Sequence, residues 1–137
     1  MSRILLLEDD TFSALALSAL LEGEGFDVRC FSSSDVALEN APREVPDILI
    51  ADWSIEGSVT SVDVARRLKV LNPDIRVFFV TGYESEEIKR QVEDLQPCVV
   101  FAKPLDFDQF IAQMKQVSPP AADEESQPGQ SAMFKSA

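Results

Sequence analysis

Side chains able to hold a metal ion and a phosphoryl group stand at the ends of apolar runs in this 137-residue sequence. Glu8-Asp9-Asp10 follows the run 4–7, Asp52 follows 48–51, Thr81 follows 77–80, and Lys103-Pro104 follows 99–102. Adjacent carboxylates repel one another unless a cation lies between them. A hard divalent ion with oxygen ligands, such as Mg2+, is one answer. The other is that one carboxylate caps the next helix while the rest are solvated. Asp52 stands alone behind its run, and a carboxylate exposed at such a point can act as a nucleophile. Thr81 offers a hydroxyl with space left by Gly82, and Lys103 an ammonium able to pair with carboxylates or a phosphoryl oxygen. Pro104 fixes a tight turn beside it, and an X-Pro bond there can be cis.

These groups converge only if the runs are parallel strands, because an open parallel sheet binds its ligands outside the carboxyl ends of its strands. The pattern supports that. Strand-like runs at 3–7, 26–31, 48–51, 76–80 and 98–102 alternate with helical stretches. The stretch 11–22 is rich in Ala and Leu, stops at Gly23 and Gly25, and reads as a largely buried helix capped by Asp9 or Asp10. Ser33-Ser34-Asp35 starts a brief helix that ends near Pro42. Val62, Ala65, Leu68 and Leu71 stripe a third helix, closed by Asn72-Pro73. Ile88, Val92 and Leu95 stripe a fourth, ended by Pro97. Phe107, Phe110, Ile111, Met114 and Val117 stripe a fifth behind Asp106, a core face rather than a cofactor box. Five such units predict an α/β sandwich with right-handed crossovers.

Composition removes other chemistries. The chain has no histidine, which excludes Ser-His-Asp and Cys-His catalysis, His-rich zinc sites and a phosphohistidine carrier. Cys30 and Cys98 lack CxxC spacing, so zinc and thioredoxin-like chemistry are not expected; both are expected to be buried, in a reducing cytosol. A formal net charge of −12, from 12 Lys and Arg against 24 Asp and Glu, disfavours nucleic-acid phosphates. The first strand begins too early to leave room for a signal peptide, and no run approaches a membrane span. The expectation is a cytoplasmic protein that binds neither nucleic acid nor membrane. Beyond Ser118, Pro119-Pro120, Asp123-Glu124-Glu125 and Pro128-Gly129 give residues 119–137 the composition of a disordered tail, behind a domain of residues 1–118. Met133-Phe134-Lys135 is a conceivable docking peptide, although a solvated tail is the simpler reading.

Taken jointly, an acidic pair, an aspartate, a threonine and a Lys-Pro occur in order at the ends of the first, third, fourth and fifth strands. In this the chain resembles the receiver domains of bacterial two-component response regulators, over roughly residues 2–118. The resemblance implies a three-layer, flavodoxin-like fold with a five-stranded parallel sheet of order 2-1-3-4-5. It implies that Asp52 accepts a phosphoryl group from a phosphohistidine on a histidine kinase or histidine phosphotransfer protein. Mg2+ would be held by Asp9 directly, by Glu8 through water, by Asp52, and by the backbone carbonyl of Ser54; Asp10 is left as a cap. Thr81 and Lys103 would contact the phosphoryl oxygens, and Thr81 would draw the loop after the fourth strand inward. The surface of the fourth helix, fifth strand and fifth helix would then switch toward a downstream protein, or toward a homodimer. Such a protein is a phospho-acceptor, catalysing only its own phosphoryl transfer and hydrolysis, and here it is expected to be a stand-alone relay component with no effector domain.

Four features depart from the family pattern. Glu56 replaces a proline in the loop 53–61, and that loop's later glycine is missing or displaced. Val100 replaces the switch aromatic, and Phe101, one residue on, must face the other side of the sheet. Tyr83 places a ring where the family modulates access of water to the phosphoryl group. A degenerate receiver that binds protein without phosphorylation is therefore the alternative. A strand-end aspartate phosphohydrolase is less compatible, because it needs a second aspartate where this chain has Ser54.

Overall fold

The computed structural model describes residues 2–55, 57–82 and 85–117. The aliphatic runs form five parallel strands: β1 (Arg3–Leu7), β2 (Asp27–Phe31), β3 (Ile48–Asp52), β4 (Arg76–Thr81) and β5 (Cys98–Ala102). Their order is β2-β1-β3-β4-β5. The helices are α1 (Thr11–Gly23), α2 (Ser34–Asn40), α3 (Ser61–Leu71), α4 (Glu86–Gln91) and α5 (Phe107–Val117). The flavodoxin-like order expected from the resemblance is the one observed. Leu7 pairs with Ala51 and Ala51 with Phe79, so the carboxyl ends of β1, β3 and β4 lie level.

Alternation along the strands sorts the core into two layers. Leu5, Leu7, Leu49, Ala51, Val77 and Phe79 pack with Ala37, Val62, Ala65 and Leu68 of α2 and α3. Ile4, Leu6, Ile48, Ile50, Phe78 and Val80 pack on the other face with Leu17, Leu21, Phe110 and Met114 of α1 and α5. Burial on both faces explains why β3 is apolar at every residue before Asp52. Local chemistry starts the helices. Asp10 caps α1, Ser33 caps α2, Thr60 and Asp63 form a capping box on α3, and Ser85 caps α4. Asp106 accepts the Gln109 N–H at 3.1 Å at the start of α5.

Several expectations are corrected. α1 is not largely buried: only Leu17 and Leu21 are enclosed, while Phe12 is 82% and Leu15 65% exposed. Lying on one side of the sheet, the helix buries a single i, i+4 row. The fourth helix does not run through to Leu95. α4 ends at Gln91 and tightens into a 3-10 turn at Glu93–Leu95, where the Leu95 N–H donates to the Val92 carbonyl at 2.9 Å. Ile88, Val92 and Leu95 all remain buried. Phe107, in the first turn of α5, is nearly half exposed, unlike Phe110 and Met114. The cysteines lie on the two edge strands, which leaves Cys30 exposed and Cys98 half-buried. Burial pushes the Cys98 thiol up to about 11. The Lys103-Pro104 bond is cis, as is Gln96-Pro97. Among the described residues no helix is long and apolar enough to cross a membrane. Glu56, Tyr83 and residues 118–137, including Met133-Phe134-Lys135, lie outside the described residues.

Candidate functional site

The last residue of β3 is Asp52. Sequence suggested an exposed carboxylate, but it is only 8% exposed, because the central strand carries it into the sheet edge. Its neighbours tie it down on several sides. Ser61 Oγ donates to the Asp52 backbone carbonyl at 2.5 Å, and the Trp53 N–H donates to the Val80 carbonyl at 2.7 Å. The carboxylate takes the Ser54 N–H on Oδ1 at 3.3 Å and the Lys103 ammonium on Oδ2 at 3.2 Å.

Glu8 follows β1 and is buried, 6% exposed. Its Oε2 accepts the Asp10 N–H at 3.0 Å. Burial is the main cause holding its carboxyl above the usual range; the Asp10 bond opposes this, Asp52 adds to it, Lys103 opposes, and Asp9 adds. Asp9 is exposed. Asp10 is turned to the helix instead, taking Ser13 N at 3.0 Å and Ser13 Oγ at 2.7 Å, and these bonds hold its carboxyl low. Carboxylate oxygens of Glu8, Asp9 and Asp52 come within 4.8 Å of one another. One ammonium faces three carboxylates, so negative charge remains in excess. That hard-oxygen donor set fits a divalent cation.

Thr81 ends β4, one residue beyond the register partner of Asp52, and is 2% exposed. Its carbonyl accepts the Lys103 N–H at 2.8 Å, which fixes the last turn of β5 against β4. All the strand-end residues therefore share one edge, with direct contact between Asp52 and Lys103. Ser54 is exposed beside Asp52. Val100 belongs to the α2–α3 layer, whereas Phe101 faces the α5 layer and stacks near Phe78 with ring centroids 6.2 Å apart. The opposite-face expectation for Phe101 holds. Sequence reasoning missed Ser61, which anchors the Asp52 backbone, and the packing of Trp53 edge-on to Phe79 at 5.3 Å. Neither has a local signal; both arise from how the loop folds back.

Fold and site together define a doubly wound α/β domain with an acidic cluster and one lysine gathered at the carboxyl edge of its sheet. A family model described as the response regulator receiver domain matches residues 4–115. The chain is 26% identical over 117 residues to sporulation initiation phosphotransferase F of Bacillus subtilis (strain 168), covering 85% of this chain and 94% of that protein. It is 31% identical over 112 residues to the transcriptional regulatory protein ZraR of Escherichia coli (strain K12), covering 82% of this chain but only 25% of that protein. Among solved structures, the signal receiver domain of a modulated diguanylate cyclase from Desulfovibrio desulfuricans G20 matches with a TM-score of 0.75 at 26% identity, over 85% of this chain and 93% of that one. The chain belongs to the response regulator receiver domain family.

Proposed function

We propose that Asp52 accepts a phosphoryl group from a phosphohistidine on a partner histidine kinase or histidine phosphotransfer protein, and that the chain is a relay switch acting on a downstream protein. The observation that carries this reading is the Asp52 carboxylate, held by Lys103 and clustered with Glu8 and Asp9. The similarity to a phosphotransferase over 94% of that protein's length supports the relay role.

In this reading the P–N bond of the donor breaks as a P–O bond to an Asp52 carboxylate oxygen forms, and the electron pair stays on the imidazole nitrogen. The Ser61 bond to the Asp52 carbonyl and the bond from the next residue, Trp53, to the Val80 carbonyl hold the backbone that carries the nucleophile during attack. Lys103 neutralises Asp52 at rest and then a phosphoryl oxygen. Thr81 donates its hydroxyl to another phosphoryl oxygen, and its backbone bond to Lys103 ties that movement to β5. Glu8, Asp9, Asp52 and the Ser54 carbonyl would hold Mg2+. When bound, that ion neutralises phosphoryl charge so that an anionic donor can approach a carboxylate. The output is a population shift of the surface formed by α4, β5 and α5. With Val100 in place of a ring, side-chain packing other than aromatic rotation must carry it.

The test is incubation with acetyl phosphate and Mg2+, read by intact mass. One added phosphoryl group is expected, absent in Asp52→Asn. Persistence of the adduct in that variant sinks the assignment of Asp52. No adduct with acetyl phosphate or a phosphohistidine donor favours a phosphorylation-independent binding module, the reading that the changed loop and Val100 support.

A further inference from the structure

The loop from Asp52 to the Thr60 cap lacks the family's proline, yet it is held down from outside. Its anchor is the start of α2, an element with no other part in the site. Ser34 is fully buried there, and its Oγ has no hydrogen-bond partner among the described residues. The backbone of Gly57 lies directly over it: a Cβ built on Gly57 would sit 1.9 Å from Ser34 Oγ and 3.0 Å from Ser34 N. Gly57 also has φ of +134°, a conformation that L side chains rarely adopt. The next residue is gripped twice by one carboxylate. Asp35 accepts the Ser58 N–H at 3.0 Å on Oδ2 and the Ser58 hydroxyl at 2.5 Å on Oδ1. From the other end, Ser61 Oγ holds the Asp52 carbonyl. Ile55 and Val59, between these anchors, rest on the α2–α3 core layer.

From this geometry we infer that Asp35, with the Ser34–Gly57 contact, is a positioning device for the phospho-acceptor loop. It stands in for the missing proline and sets where Ser54 lies beside Asp52. The inference rests on the phospho-acceptor reading above and deepens it. A carboxylate that fixes both the N–H and the hydroxyl of one loop residue restrains that residue more than either bond alone. Ser54 lies four residues before Ser58, and its N–H already touches Asp52 Oδ1. Releasing Ser58 frees the loop between, so the Ser54 carbonyl has to be ordered at the moment a metal binds. That raises the metal concentration required while leaving Asp52 and Lys103 in place. Groups standing behind metal ligands typically alter affinity by about 10- to 100-fold. A loop anchor belongs at the low end.

The variants are Asp35→Ala, Asp35→Asn, Ser58→Ala and Gly57→Ala, each checked for folding by circular dichroism and thermal melt. Calorimetric titration with Mg2+ should show about tenfold weaker binding in Asp35→Ala and Gly57→Ala. Asp35→Asn and Ser58→Ala each keep one of the two bonds and should fall between these and the wild type. Adduct formation from acetyl phosphate should then need more Mg2+ for its half-maximal rate, with the rate at saturating Mg2+ nearly unchanged. If the folded variants, including the mild Ser58→Ala and Asp35→Asn, bind Mg2+ as the wild type does, α2 is merely structural and the inference fails alone. If the wild type neither binds Mg2+ nor forms an adduct, the phospho-acceptor reading fails and takes this one with it. A fall in the saturating rate without a change in Mg2+ affinity also overturns the inference, because it would place the effect on the chemistry itself.

Discussion

Glu8 is the residue where burial and charge disagree most. Its carboxyl is buried, is held above the ordinary glutamate value chiefly by that burial, and has two further carboxylates nearby. An acid whose folded value is raised favours its neutral form in the folded state. Its contribution to stability is full below the ordinary glutamate value and is lost as pH rises through the raised one. Above that raised value the metal-free domain carries a buried carboxylate beside two others, and this is what a divalent cation would relieve. Glu8→Gln keeps an oxygen to accept the Asp10 N–H and removes the titration. In EDTA it should gain on the wild type as pH rises above the ordinary glutamate range, with the difference shrinking toward pH 4. Added Mg2+ should raise the melting temperature of the wild type more than that of the variant. Parallel melting curves for the two proteins across that pH range, with and without Mg2+, would count against this account.

At the scale of elements, β3 and β4 are coupled by Trp53, the sole tryptophan of the chain. Its N–H bonds the Val80 carbonyl and its ring meets Phe79 edge-on, so the residue after Asp52 reports on both strand ends. Saturable change of its emission is expected on titration with Mg2+, and again with acetyl phosphate; Asp52→Asn should abolish the second response. Flat emission while calorimetry registers binding would show that the ring is uncoupled from the site. Strands and three of the helix starts were legible in the sequence because their causes are local, while the Thr60 and Ser85 caps went unread. Strands buried on both faces read as unbroken aliphatic runs, and Asp10, Ser33 and Asp106 each cap the helix that follows them. The strand-end residues were legible because a parallel sheet brings all such ends to one edge. Composition did not say which side of α1 faces the sheet, since Ala and Leu surround that helix. Nor could it foresee the grip of Asp35 on Ser58 across 23 residues, or the exposure of Cys30, because both depend on which elements become neighbours.

At the scale of the whole molecule, the two apolar layers share the same strands and so should not unfold separately. Alternate residues of β1, β3 and β4 belong to opposite layers, and a strand cannot leave one without leaving the other. Phe110 fills the α5 side, with its ring against Phe101 at 5.2 Å and Phe78 at 6.3 Å; Leu68 fills the α3 side, and both are fully buried. Truncation should cost about 3–5 kcal/mol for Phe110→Ala and about 2–5 kcal/mol for Leu68→Ala. Lying on opposite faces of the sheet, the two losses should add to within about 0.5 kcal/mol. A domain of this size is stable by only about 5–15 kcal/mol, so the double variant stands near or past the unfolding threshold. Urea titration should show lower midpoints with an unchanged slope, and far-ultraviolet circular dichroism and Trp53 emission should follow one transition in each single variant. Trp53 belongs to the α2–α3 layer, so the sharpest comparison is Phe110→Ala, which injures the opposite layer. If the Trp53 transition stayed at its wild-type midpoint while the dichroism moved, the layers would be separable. The carboxyl edge that gathers Glu8, Asp52 and Lys103, built on strands common to both, would then not depend on the fold as a unit.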